Sequence, residues 1–450
     1  MDKRNKKFIL FCLFITTCVF YIPAEENPIS SEVESNFDIA AGKHQLESKN
    51  LLQTRGMPSG NELRVSLLDL TDAMFLYGAG TATLFYDHEE DDQNLVLRVF
   101  LISEDGIEAF HEEKMETTLF DELTAGLNYA LGVDEAEAHR VPEMRGIRRM
   151  GVRPEGLRSL YHYIGALSEL LFPGPIAEKM SAVHRLLIVP ARNIGTIPFY
   201  LLEPIQRGRA LVEDCCISIV PNLNSIIEVL EDPWGSLEFP DYVEDGKFFH
   251  PLVLGNPSFP KDDEWMFPPL PGAELEAEQV ARMLKTGPLI GKAASKAEVL
   301  AHAESADILY FATHGLADPE DPLNGSFLVF ADVRNQSSTR WTAGEIQRMR
   351  MQADIAVLSA CQTGLGMVHN AGIIGLARAF HLAGVRSVIM RLWSIDDAAT
   401  TDIMISFITF LLEPYYLFPA DALREAILEI KNKYPSPSVW ASFSLFGVPW

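Results

Sequence analysis

Two side chains in this sequence have the type and setting for acyl transfer. Cys361 stands at the end of the run AVLSAC (Ala356 to Cys361), and His314 at the end of DILYFATH. In each case an apolar run, Ala356 to Leu358 or Ile308 to Ala312, reads as a buried strand that leads into a turn. Ser359-Ala360 is a small-residue step to the thiol. Gln362, Thr363, Gly364 and Gly366 extend a strand poorly, and the glycines permit a tight turn. A thiolate can attack a carbonyl carbon while an imidazole holds and delivers the proton. The oxyanion that forms needs donors, and the backbone N–H groups of Gly315 and Cys361 are candidates. Standing 47 positions apart, His314 and Cys361 are a candidate base and nucleophile. No Asp or Asn stands out as a third, orienting member. On residue types alone, a buried thiol and a satisfied core histidine account for the same letters.

The elements that must position this pair follow a regular rhythm from about residue 250. PLVLGNP reads as a strand and LPGAELEAEQVARML as a helix. In that helix Glu274, Glu276 and Glu278 come early and Arg282 and Lys285 late, which suits a helix dipole. A short LIG strand, the helix SKAEVLAHAE, the His314 strand, a strand at FLVF and the helix TAGEIQRM follow. Then come the Cys361 strand, the helix IIGLARAFHLAG, the strand RSVIMRLW and a helix from about Ala398 to Leu412. A last helix, ALREAILEIKNK, precedes the aromatic segment WASFSLFGVPW. Apolar strands alternating with amphipathic helices predict a mostly parallel α/β sheet covered on both faces. Chemistry in such sheets sits outside the carboxyl ends of the strands.

The chain before residue 250 is organised differently. Residues 63–230 read as a strand-rich α+β front lobe: RVSLLDL, MFLYGAGTATLFY and NLVLRVFLIS as strands, 114–131 and 155–172 as helices, then HRLLIVPA and DCCISIVPNL as strands. Gly78-Ala79-Gly80 reads as a bend in a β meander, since no third glycine completes a dinucleotide loop. NSIIEVLED is expected to begin with Asn224 or Ser225 as its N-cap. Residues 231–250 are acidic and aromatic and read as a surface loop between the front lobe and a catalytic lobe at 250–450. Residues 25–62 read as a polar, irregular linker. No repeat is detected.

Residues 1–24 read as a signal peptide or membrane anchor: Lys3, Arg4, Lys6 and Lys7, an apolar run of 15 residues from Phe8 to Ile22, then Pro23-Ala24. No other stretch reads as membrane-spanning, so contact with a membrane is expected only through this segment. Export to a periplasmic or extracellular side is the expectation, with a cytoplasmic location as the alternative. An exported thiol would face an oxidising space, and the five cysteines do not make a disulfide framework. Cys12 and Cys18 lie in the leader, and Cys215-Cys216 read as small buried hydrophobes. A formal net charge of −25 argues against nucleic acid as a partner. The four arginines between Arg145 and Arg153 read as a solvated loop.

Other polar groups have two readings each. Asp396 and Asp397 follow the strand RSVIMRLW and either cap the next helix or line a pocket for a basic residue before the scissile bond. Asp318, Glu320 and Asp321 read as a solvated loop rather than a calcium site. His369 and His381 read as packing or surface residues, because no metal-ligand spacing accompanies them. No metal and no cofactor is expected.

The segments IPFYLL, ISIVPNL, LVLGNPSF, LPGAELEAEQV, LYFATHG, TAGEI, VLSACQTGLG, GIIGLARAFHLAGVRSVI, LWSIDDAATTDIM and WASFSLFG occur in the order found in the CHAT family. The chain resembles that family of caspase-like cysteine peptidases, relatives of caspases and separase, from about residue 75 to 450. Caspases place their His about 50 residues before an A-C-x-G element. Here Gly364 comes one residue later than in that element, as in the CHAT pattern. The resemblance implies a caspase-like fold, His314 as general base, Cys361 as nucleophile, a protein or peptide substrate, and a regulatory protein partner. A catalytically silent interaction or scaffold module is the alternative.

Overall fold

A computed structural model describes residues 30–53, 65–91, 93–132, 159–192, 194–230, 248, 250–260, 267–318, 321–332, 339–359, 370–393, 395–413 and 418–448. Its elements in chain order begin with helices α1 (Ser31–Gln53) and α2 (Leu67–Tyr77). The antiparallel strands β1 (Thr81–Glu90), β2 (Asn94–Ser103) and β3 (Gly106–Glu116) follow. Next come α3 (Thr117–Ala130), α4 (Leu160–Leu171), β4 (Arg185–Val189), β5 (Cys216–Ile219) and α5 (Leu223–Ile227). The second half runs β6 (Pro251–Pro257), α6 (Pro271–Met283), β7 (Leu289–Gly291), α7 (Lys296–His302), β8 (Ile308–Ala312), β9 (Gly315–Leu316), β10 (Phe327–Val329) and β11 (Arg340–Thr342). It ends with α8 (Ala343–Ile346), β12 (Ile355–Leu358), α9 (Asn370–Leu382), β13 (Ser387–Arg391), α10 (Asp397–Leu411), α11 (Pro419–Lys433) and β14 (Phe443–Gly447).

Eleven strands form one sheet in the order β3-β2-β1-β4-β5-β14-β13-β12-β8-β6-β7. Strands β1, β4, β5 and β14 run parallel to one another, and so do β13, β12, β8, β6 and β7. The two blocks meet at the antiparallel pair β13–β14. Strands β4, β5, β8, β12 and β13 are buried at nearly every position, as a sheet covered on both faces requires. The mostly parallel α/β architecture expected from the rhythm of the second half is the observed one. The aromatic tail supplies β14, which alternation of strands and helices could not place in the middle of the sheet.

Four local expectations are corrected. RVSLLDL does not begin a strand. Ser66 caps α2 with a capping box, its Oγ accepting from the Asp69 amide while its own amide donates to Asp69 Oδ2 at 2.8 Å. Helix α2 takes in the first residues of MFLYGAGTATLFY and ends at Gly78, whose φ of 95° suits only glycine, so Gly78–Gly80 is a helix-to-strand turn into β1 and not a bend within a β meander. The N-cap of α5 is Asn222 instead of Asn224 or Ser225; its side chain accepts from the Ser225 amide at 2.9 Å. Within the segment read as an irregular linker, residues 31–53 form α1. Phe37, Ala40 and Ala41 of α1 are buried, and Phe37 meets Phe85 and Phe100 edge-on at 6.1 and 5.8 Å. Three apolar residues on one face of a polar helix are enough to dock it, at roughly 1.5–3 kcal/mol for a buried phenylalanine. Among the described residues no helix is long and apolar enough to cross a membrane.

Helix α6 lies very close to β6. A Cβ at Gly255 would sit 2.6 Å from the Ala273 carbonyl oxygen and 2.5 Å from Ala277 Cβ. Such distances are inside van der Waals contact, so only glycine lets this helix settle on this strand.

His44 of α1 supplies a pH dependence. Its ring lies 5.5 Å from that of Phe85, and neither ring nitrogen has a hydrogen-bond partner among the described residues. Burial lowers its pKa from 6.5 to about 4, outweighing the raising effect of Asp87. The unfolded chain therefore takes up this proton first. The stability tied to neutral His44 is complete above 6.5 and is lost as pH falls towards 4. Each pH unit between the two pKa values corresponds to about 1.4 kcal/mol. Between pH 7 and 4, urea unfolding should therefore show wild type losing about 3 kcal/mol more than His44→Phe. Parallel curves for the two proteins would show that His44 does not carry this dependence.

Candidate active site

Strand β8 ends at Ala312, and the chain continues through Thr313 to His314. Both are pinned to β10: Thr313 Oγ1 donates to the Val329 carbonyl at 2.5 Å, and the Val329 amide donates to the His314 carbonyl at 2.9 Å. His314 is 2% exposed. Its Nε2 lies 2.8 Å from the carbonyl oxygen of Pro268. A carbonyl only accepts, so Nε2 carries the proton and Nδ1 is the basic nitrogen of the neutral ring. The rings of Phe259 and Phe267 lie 4.6 and 5.5 Å from the imidazole and fix its plane. The group that orients the imidazole is thus a backbone carbonyl, which no side-chain pattern can reveal.

Asn256 holds that carbonyl's segment. It has a left-handed backbone, with φ at 42°. Its Nδ2 donates to Glu274 Oε2 and its Oδ1 accepts from the Leu270 amide, both at 2.7 Å. One side chain therefore ties the end of β6 to the start of α6 and brackets the segment bearing Phe259, Phe267 and Pro268. A polar, αL-tolerant residue at a strand end was the one signal the sequence offered here.

Strand β12 lies beside β8 in parallel register, with Leu358 opposite Phe311, and the Ser359 amide continues the ladder to the Phe311 carbonyl at 3.1 Å. Cys361, with Gln362, Thr363, Gly364 and Gly366, lies outside the described residues. The strands that carry His314 and lead to Cys361 are therefore neighbours ending at the same edge. Gly315 opens β9 directly after His314 and pairs with Leu328.

Asp396 and Asp397 stand at the end of β13, the strand on the other side of β12. Asp396 caps α10, its Oδ1 accepting from the amides of Ala398 and Ala399 at 2.9 and 3.4 Å. Asp397 is exposed in the first turn and packs against the start of α6, where a Cβ on Gly272 would lie 2.5 Å from its own. His381 sits away from this edge. Its Nε2 meets Ser225 Oγ at 3.2 Å, its Nδ1 meets the Val385 carbonyl at 3.2 Å, and burial lowers its pKa. That is the packing role expected of it; His369 lies outside the described residues.

Asp318 and Asp321 cap their own loop: Asp318 Oδ1 accepts from the Asp321 amide and Asp321 Oδ1 from the Asn324 amide. Glu320 lies outside the described residues. Among the described residues no cluster of His, Cys, Asp and Glu could hold a metal ion. Cys215 and Cys216 are buried and unpaired, and burial pushes the Cys216 thiol up to about 12, so neither supplies a thiolate near neutral pH. Glu276 corrects its reading as a dipole-facing glutamate. It is 2% exposed, and its Oε1 accepts from the Tyr310 hydroxyl at 2.6 Å.

Asn256→Ala should release the Pro268 segment. In wild type the His314 Nε2–H, buried and bonded to a carbonyl, is expected as a slowly exchanging downfield proton resonance. In Asn256→Ala that resonance should broaden or vanish. Its survival unchanged would show that Asn256 does not hold the histidine's partner.

The CHAT domain family model matches residues 162–448, more than half of the chain. Tetratricopeptide repeat protein 28 of Homo sapiens is 27% identical over 329 residues, and its Mus musculus counterpart 26% over 334. Each match covers 65% of this chain, which spans only 13% of those relatives' length. A separase in complex with securin from Saccharomyces cerevisiae matches at a TM-score of 0.50 and 10% identity. That match covers 94% of this chain and 34% of the separase chain, and it bears on the fold alone. With a mostly parallel sheet and a family model matched over more than half of its length, the chain belongs to the CHAT-domain family.

Proposed function

We propose that this protein is a cysteine endopeptidase in which His314 is the base and Cys361 the nucleophile. The observation that carries this reading is the orientation of His314. An imidazole packed against two phenylalanines, with Nε2–H spent on the Pro268 carbonyl, keeps Nδ1 as its basic nitrogen, and it directly follows the strand that lies beside β12. A histidine needed only for packing has no requirement for a fixed tautomer.

In the reaction, Nδ1 takes the proton of the Cys361 thiol and Sγ bonds to the scissile carbonyl carbon. The oxyanion is met by the backbone N–H groups of Gly315 and Cys361. The peptide C–N bond then breaks as the imidazolium gives its proton to the leaving amine, and a thioester remains. Water, deprotonated by Nδ1, attacks the thioester; the S–C bond breaks and the proton returns to sulfur. The Pro268 carbonyl stabilises the imidazolium through Nε2–H. No cofactor is needed for any of these steps.

Asp397 supports a preference for Lys or Arg before the cut, because Asp396 is occupied as a helix cap and Asp397 is exposed at the same edge. A regulatory protein partner and an exported or anchored location, the latter resting on the basic and apolar residues 3–22, complete the proposal.

Cys361→Ala and His314→Ala should each lose cleavage of a peptide library by about 10³-fold or more. Asp397→Asn should lower kcat/KM for substrates with Lys or Arg before the cut by about tenfold or more, with little effect on others, as expected for loss of a charged partner. Cleavage by Cys361→Ala at the wild-type rate would sink the mechanism. A wild-type Cys361 that resists electrophilic peptide probes would favour the interaction-module reading.

A further inference from the structure

Glu276 is hard to account for by folding alone. Its carboxyl lies within the packed layer between α6 and the sheet, 2% exposed, where a leucine would fill the space without desolvating a charge. Its surroundings are polar and come from three adjacent strands. Tyr310 of β8, fully buried, donates to Oε1 at 2.6 Å. Ser359, directly after β12, is 1% exposed; its hydroxyl has no well-aligned hydrogen bond among the described residues, yet it lies close enough to favour the charged carboxylate. Arg391, the last residue of β13, is 4% exposed, donates to Thr400 Oγ1 at 3.0 Å, and also favours the carboxylate. Asp397 of α10 opposes it. Burial is the largest influence and raises the Glu276 pKa above its usual value.

The positions of these partners matter. Tyr310 is four residues before His314, on the strand β8 that leads to it. Ser359 is two residues before Cys361. Arg391 ends the strand that leads to Asp396 and Asp397. One carboxyl is therefore bonded to β8, lies beside the residue that follows β12 and is within electrostatic reach of the last residue of β13, the three strands whose ends supply the candidate base, nucleophile and pocket carboxylates.

We propose that Glu276 is a positioning residue whose carboxyl, bonded to Tyr310 and facing Ser359 and Arg391, fixes how the ends of β8, β12 and β13 stand to one another, and thereby the distance between the His314 imidazole and the Cys361 thiol. The inference rests on the Cys–His reading of the site. It adds a device that ties the strand ends through a buried polar cluster, with apolar packing alone leaving them loose. A misplacement of about 1 Å in such a pair can cost about 10²-fold in rate.

The test uses the full-length protein and three variants, Tyr310→Phe, Glu276→Gln and Glu276→Leu. Two readouts are taken: kcat and KM on a cleaved peptide, and the pH dependence of Cys361 alkylation by iodoacetamide. Alkylation needs no substrate, so it decides this inference even if peptide cleavage fails for wild type and the peptidase reading falls.

Tyr310→Phe removes one oxygen and keeps the ring. It should retain cooperative thermal unfolding while kcat falls about tenfold or more, KM stays within about twofold, and the alkylation midpoint rises as the thiol loses its imidazole partner. Glu276→Gln keeps an acceptor for Tyr310 and should retain more activity than Glu276→Leu. Folded Tyr310→Phe with the wild-type kcat and alkylation midpoint would overturn the proposal. So would equal loss in the Gln and Leu variants explained entirely by a fall in the folded fraction, since that assigns Glu276 to stability alone.

Discussion

The edge of the sheet that carries the site depends on how closely helix α6 approaches strand β6, and that approach depends on Gly255. With no Cβ at that position the Ala273 carbonyl and Ala277 methyl come down onto the strand. From there Glu276 reaches Tyr310 and Glu274 reaches Asn256. The segment between β6 and α6 is thereby delivered over His314 with its Pro268 carbonyl at hydrogen-bonding distance. A helix held even one methyl further away would lose all three contacts together, since each is shorter than 3 Å. Packing at this strand is thus part of the chemistry that the edge can support.

How much of this was legible in the sequence differs from element to element. The second half could be read because β8 and β12 are continuous apolar runs and β13 has an apolar centre, all between helices with clear period, a pattern that suits a sheet covered on both faces. His314 and Cys361 could be singled out because they end such runs. The Pro268 carbonyl could not, since every residue has one and only the fold selects which is used. Glu276 sat among other early glutamates of its helix, and the helix dipole explained all of them equally well until burial set one apart. At α2 the failure was local: Leu67, Leu68 and Leu70 fit a strand as well as a helix, and the reciprocal Ser66–Asp69 bonds decide the matter. At α1 a polar composition concealed the narrow stripe of Phe37, Ala40 and Ala41.

Burial raises the pKa of the enclosed sulfur and carboxyl groups of this chain alike, but their surroundings differ. Cys215 and Cys216 are enclosed in the core and their thiols are driven up, so they are chemically silent despite being adjacent. Glu276 is as thoroughly enclosed but faces a phenol, a hydroxyl and a guanidinium from three strands. The difference lies in how many polar partners the fold supplies, and at the strand ends it supplies many.

The middle of the sheet has one more consequence. Strand β14 sits between β5 and β13 with residues 443–447, yet its parallel neighbour β5 lies at 216–219, more than two hundred residues earlier. Until this late strand is inserted, β5 and β13 each present an unpaired apolar edge, and the two parallel blocks have no seam between them. The pairing that joins them is among the most distant in the chain, so its closure is costly in loop entropy. The molecule is in effect zipped shut from its centre, and the block holding His314 gains its final neighbour only when that strand is seated.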